Sequence, residues 1–250
     1  MTKTIFELTE GSAPLLTDYA LNGEDPAGNH VLRRTTWQSI LNLFTSKQAD
    51  GWIGTDNIFN YASANSFTVS GDVRSIYQIG DKIKLTQTTV KYFYIIDISY
   101  TSPNTTISVT GGTDYSLANA SITSPFYSHA STAVGFPSLL NWVGSSGSNP
   151  QGLSGIAEGN VFFLANRTVN LFVNITGTSI ATSFSITLPV KPAHSNPSII
   201  RATNNTSTIT WGLANAIANS TSLSFFTSAD GLLWTSSGTK QVFGLVQYTI

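Results

Sequence analysis

From residue 160 onward, seven short runs rich in β-branched and aromatic residues alternate with turn residues, and this rhythm constrains the fold more than any other feature of the chain. The runs are 161–165, 169–175, 183–188, 199–202, 208–211, 222–227 and 241–249, with turns at Gly177-Thr178, at 189–196 and at Ser236-Ser237-Gly238. Successive side chains of a strand point to opposite faces, so evenly spaced runs of this kind predict an antiparallel β-sandwich of jelly-roll type over 160–250. In the last run Val242, Gly244, Val246 and Tyr248 share one face and Phe243, Leu245, Gln247 and Thr249 the other. A strand apolar on both faces needs cover from a second sheet or a neighbouring subunit.

Residues 51–130 show the same grammar with wider gaps. Runs at 67–69, 82–85, 90–100 and 105–110, punctuated by Ser70-Gly71-Asp72 and Gly111-Gly112, predict a small β-barrel. Lys82 and Lys84 fall on one strand face, with Lys91 nearby. We read them as a solvated face that discourages edge pairing, with a phosphate or anionic-glycan contact as the alternative. Between the two modules, 131–159 reads as a linker because Gly, Ser and Pro gather in GSSGSNPQG. Charge also changes there: beyond His129 only Arg167, Lys191, Arg201, Lys240, Glu158 and Asp230 remain.

The first 48 residues differ from the rest. Thr35-Thr36 precede Trp37, Ile40, Leu41 and Phe44, whose i, i+3, i+4, i+7 spacing predicts one capped amphipathic helix. The turn-rich stretch before it, with Pro14, Gly23, Pro26 and Gly28, cannot form a core alone. The segment is either a frayed terminus or an attachment element.

Composition excludes several functions. Only 10% of residues are charged, the net charge is -1, and no Lys/Arg cluster exists to hold a nucleic-acid backbone. About a third of the residues are Ser, Thr or Asn, so solubility rests on neutral polar groups. No apolar run reaches the ~20 residues of a membrane helix, and Glu7 and Glu10 interrupt the place where a secretory signal would be apolar. Cysteine is absent, which removes disulfides, thiolate nucleophiles and Cys-ligated zinc.

Candidate site residues are few. His30, His129 and His194 lack metal-ligand spacing and are read as solvent or turn histidines. Glu158 and Asp230 are the only carboxylates after His129, and a glycosidase would need two within roughly 5–10 Å. No enzyme activity, cofactor or metal is expected. Trp142, Trp211 and Trp234 are read first as buried core or interface tryptophans, with their aromatic faces, Trp211 and Trp234 foremost, as sugar-stacking platforms in the alternative.

Four segments carry a family resemblance. IKLTQTTVKYFYIIDISYTSPNTTISVTGGTDYSLANASITSPFYSHASTAVGFP, residues 83–137, resembles a module that recurs in tailed-bacteriophage tail-fibre and virion-appendage proteins, preceded there as here by a Gly51-Trp52-Ile53 element. FELTEGSAPLLTDYALNGEDPAGNHVLRRTTWQSILNL, residues 6–43, is similar to the anchoring segment that opens many such fibres. ANRTVNLFVNITGTSIATSFSITLPV and WTSSGTKQVFGLVQYTI are similar to their terminal β-sandwich. The resemblance implies a homotrimeric receptor-binding protein of the virion. Its N-terminal residues, with Trp37, Ile40, Leu41 and Phe44, would attach to other virion structural proteins. The C-terminal domain would bind host-surface glycan or protein. The alternative within the family is a head fibre or decoration spike without a receptor; a glycan hydrolase is a remote third reading.

Overall fold

The structure, a computed structural model, describes residues 19–22, 33–36, 50–144, 152–205 and 208–250. The chain divides into two units, 1–50 and 51–250. Every regular element among the described residues is a strand, and no helix occurs among them.

In the first unit β1 (Tyr19–Asn22) pairs antiparallel with β2 (Arg33–Thr36). Thr35 and Thr36, expected to cap a helix, are instead the last residues of a strand, opposite Ala20 and Tyr19. The expected helical face, Trp37, Ile40, Leu41 and Phe44, lies outside the described residues.

The second unit holds two antiparallel sheets. The first contains β3 (Ile53–Gly54), β4 (Asn60–Ser63), β5 (Ser66–Ser70), β6 (Lys82–Gln87), β7 (Thr89–Thr101), β8 (Asn104–Thr110) and β9 (Thr123–Ser128), in the order β3-β9-β6-β7-β8-β5-β4. Phe67, Val69, Ile83, Leu85, Phe93, Ile95, Ile107 and Val109 alternate inward to make its core. A one-residue register shift in β7, between Ile95 and Asp97, keeps that core apolar. Strict alternation after Phe93 and Ile95 would turn Asp97 inward; the extra residue leaves Asp97 exposed and packs Ile98 against the core. Pro125 sits within a second shift, where β9 leaves register with β6 between Lys84 and Thr86. A bulge is where a strand tolerates proline, which has no N–H to give the ladder.

The second sheet contains β10 (Leu140–Trp142), β11 (Leu153–Glu158), β12 (Asn160–Ala165), β13 (Thr168–Ser179), β14 (Phe184–Thr187), β15 (Asn196–Asn204), β16 (Thr208–Ala216), β17 (Ser222–Phe226) and β18 (Thr239–Thr249). Its order is β10-β12-β13-β18-β15-β16-β17-β14, with β11 pairing the far half of β13. Eight of the nine strands thus form one hydrogen-bonded path, with β11 branching from it, where two facing sheets were expected. The path returns on itself: the Thr187 N–H and hydroxyl both donate to the Gly144 carbonyl at 2.9 Å, and the Trp142 indole N–H donates to the Thr187 carbonyl at 2.8 Å. Inside it Phe162, Leu171, Val173, Ile200, Ala214, Phe225, Val242 and Val246 are each at most 1% exposed. Full burial of each large side chain is worth about 1.5–3 kcal/mol. The stretch read as a linker, 131–159, supplies β10 and β11 to this sheet.

The two sheets pack directly on one another. Tyr94 of β7, on the face opposite Phe93 and Ile95, belongs to the second core, with Phe136 at 4.8 Å and Phe162 at 6.5 Å between ring centroids. Its hydroxyl bonds the Leu164 backbone, and burial raises its pKa. Asp114 bonds both the backbone and side-chain N–H groups of Asn141 at 2.8 Å. Gly80 takes φ +97 directly beneath the Asn166 carbonyl, where an added Cβ would lie 2.1 Å from that oxygen. Only glycine fits there.

Candidate binding surface

The outer face of the second sheet carries the large apolar side chains that the inner core does not use. Register defines the rows. Phe172 of β13 stands opposite Leu245 of β18, and Ile199 of β15 opposite Leu213 of β16. In the next row Asn174 faces Phe243, Phe243 faces Arg201, and Arg201 faces Trp211. A third row runs through Thr176, Gln241, Thr203 and Ile209. Trp211 is 73% exposed and Phe243 55%, flanking the exposed Arg201 on both sides. Directly opposed residues have Cβ atoms about 4.5–5.5 Å apart, so these three side chains form one ledge.

Local sequence fixes that ledge from behind. Gly212 and Gly244 occupy inward positions beside Trp211 and Phe243. A Cβ on Gly212 would lie 2.3 Å from the Phe226 carbonyl oxygen, and one on Gly244 2.8 Å from Ile200 Cγ2. The absent side chains let neighbouring strands press on this backbone and hold the outward residues in place. Beside the ledge lies a depression of about 270 Å³ lined by Thr176, Arg201, Thr203, Ile209, Thr239, Lys240 and Gln241. Lys240 is fully buried, its ammonium donating to Asn205 Oδ1 at 2.6 Å, Thr235 Oγ1 at 2.7 Å and the Ser237 carbonyl at 2.5 Å. With neutral acceptors around it, desolvation lowers its pKa.

An aromatic ring, a guanidinium and short hydroxyl and amide side chains together suit a polyhydroxylated or mixed polar surface. The ring stacks on C–H faces while the polar groups bond hydroxyls or carbonyls. Among the described residues no group of three or more His, Asp or Glu side chains is placed to hold a metal ion.

The two tryptophans singled out in the sequence part company. Trp211 is on the ledge. Trp234 is a core residue, 2% exposed, its ring 5.1 Å from that of Phe184 and its indole N–H bonded to the Phe225 carbonyl at 2.7 Å. Trp142 is half-buried at the seam of the sheet. Glu158 Oε2 accepts from the Gly144 N–H and from Asn160 Nδ2, while Asp230 lies on the exposed turn after β17.

The lysines are not a solvated face, which corrects the sequence reading. Lys82 is 7% exposed, donates to the Ala130 carbonyl at 2.7 Å, and lies 5.5 Å from the Phe136 ring centre. Lys84 sits between Trp52 and Phe126, at 4.6 and 4.5 Å from their ring centres. Lys91 donates to the Ser116 carbonyl. Aromatic residues far away in sequence cover that strand face, and the long aliphatic stems pack along them. Phe243, Arg201 and Ile209 were missed as site residues. The alternation of β18 placed Phe243 on the face opposite Val242, but nothing local said which face stayed open.

No protein-family model, curated protein or solved structure matches this chain.

Proposed function

We propose that the chain is a virion appendage of a tailed bacteriophage, of tail-fibre or receptor-binding type, that engages a host-surface glycan or protein through the Trp211–Arg201–Phe243 ledge. The observation that carries the reading is the 73% exposure of Trp211 beside an exposed arginine, on an outer face where Phe243 and Ile209 stand among Thr176, Thr203 and Gln241. A large aromatic left in water next to hydrogen-bonding groups is the composition of an interaction hot spot. The resemblance of 83–137 and of the C-terminal segments to phage appendages supports the setting. In this reading residues 1–48, with the helix predicted over Trp37 to Phe44, attach to the particle, and three copies assemble so that three weak sites act together.

The second reading is a structural appendage without a receptor. It is favoured by the row Phe172, Leu245 and Ile199, exposed at 40%, 37% and 55%, which a neighbouring copy would cover.

One experiment separates the two. Fluorescently labelled protein is applied to candidate host cells alongside Trp211→Ala, with molar mass from light scattering measured on both. The receptor reading expects a trimer in both and at least ~30-fold weaker cell binding by the variant, the loss of about 2 kcal/mol typical of an aromatic anchor. Loss of the trimer in Trp211→Ala assigns the ledge to subunit contact. Unchanged cell binding with an intact trimer overturns the ledge as the receptor site.

A further inference from the structure

The cleft between the two sheets brings several charged side chains together in one place. It measures about 740 Å³, within the ~300–1,000 Å³ range of small-molecule sites, and its polar lining includes Asp81, Lys82, His129, Ser131, Asn166 and Arg167. Asp81 is the one carboxylate in that lining, and both its oxygens are engaged: Oδ1 with His129 Nδ1 at 2.7 Å and Oδ2 with the Gln78 N–H at 2.7 Å. The basic groups keep spare capacity. His129 meets Asp81 through Nδ1, which leaves Nε2 for a ligand. Arg167 donates through Nε to the Ile250 main-chain oxygen, which leaves its two Nη groups. Lys82 spends one hydrogen on the Ala130 carbonyl.

The walls are fixed. Asn166, at φ 55, forms the tip of the β12–β13 hairpin, and its carbonyl presses on Gly80 across the cleft. Phe163 and Leu164 supply an apolar stretch beside the basic groups. A preorganised cleft with three basic side chains, one carboxylate whose two oxygens are already hydrogen-bonded, and an apolar wall selects for a negatively charged head on a compact body.

We propose that this cleft binds an oxyanion-bearing ligand of sugar size, its carboxylate or phosphate oxygens held by Arg167, His129 and Lys82. The site is separate from the Trp211 ledge and stands or falls without it.

Titration calorimetry on the full chain tests it with D-glucuronate, D-glucose 6-phosphate and D-glucose as probes. At least one charged sugar should bind at least tenfold more tightly than glucose, glucuronate identifying the head as carboxylate and the 6-phosphate as phosphate. Arg167→Gln, at an exposed position, should weaken that binding about tenfold with an unchanged unfolding midpoint, and His129→Gln should weaken it similarly. Arg74→Gln, at an exposed position that lines neither the cleft nor the ledge, should bind as the parent does. Charged sugars binding no better than glucose, or an Arg167→Gln variant that binds like the parent, would overturn the proposal.

Discussion

Replacing Gly80 by alanine places a methyl group 2.1 Å from the Asn166 carbonyl oxygen and 2.9 Å from its carbon, at a residue with φ +97. Two penalties combine. A non-glycine residue in left-handed backbone costs about 1–2 kcal/mol. Relieving the overlap must move the β12–β13 hairpin by about an ångström, and overpacking of this kind costs about 1–3 kcal/mol. Gly71→Ala isolates the first penalty, because Gly71 has φ +83 and an added Cβ there meets nothing within 4 Å. The difference between the two variants is therefore the steric penalty. At a urea m-value of about 3 kcal/mol/M, Gly80→Ala should unfold about 0.3–1 M earlier than Gly71→Ala. Equal midpoints would refute the argument that this glycine is where the two sheets lock together.

Trp234→Ala should destabilise by about 3–5 kcal/mol as a large buried ring is lost, whereas Trp211→Ala should shift stability by less than about 0.5 kcal/mol; thermal melts of the two compare them directly. Stability should rise as the pH approaches 10. Burial depresses the Lys82 and Lys240 pKa values, so the folded state sheds those protons before the unfolded chain does and the burden of a buried cation is relieved. Above about pH 10 the sign reverses: Tyr94, Tyr127 and Tyr248 have pKa values raised chiefly by burial, so the unfolded chain ionises first and folding loses ground. Urea midpoints at pH 8, 10 and 11.5 test both limbs, and Lys240→Met should flatten the first. Phenolate absorbance should show the buried Tyr94 and Tyr248 ionising only as the chain unfolds.

The strands of the second sheet were legible because each one alternates locally. The run read as 222–227 forms Ser222–Phe226, and that read as 241–249 forms Thr239–Thr249. The missed strands owe their conformation to neighbours. Thr123–Ser128 contains Pro125 and is held between β3 and β6, while Leu140–Trp142 and Leu153–Glu158 are short, Ser- and Gly-flanked stretches recruited by β12 and β13. Continuity of the sheet was equally invisible, since the closing bond from Thr187 to Gly144 joins residues with no local pattern between them. At the ledge, Trp211 and Trp234 look alike in sequence. Only the cover that Phe184 and Phe225 give Trp234 tells them apart. The Asp81–His129 pair, 48 residues apart along the chain, had no local signal at all.

The strand order has a consequence for synthesis. β18, near the C-terminal end of this sequence, lies between β13 and β15, with eleven residue pairs to β13 alone. At a translation rate of about 5–20 residues per second, β13 is made several seconds before its main partner. Until Thr239–Thr249 leaves the ribosome, Leu171, Val173, Ile200 and Ala202 face an open gap in the middle of the sheet, not at its edge. A ribosome that stops short of that strand releases a chain whose core cannot close, with the apolar faces of β13 and β15 left open to water.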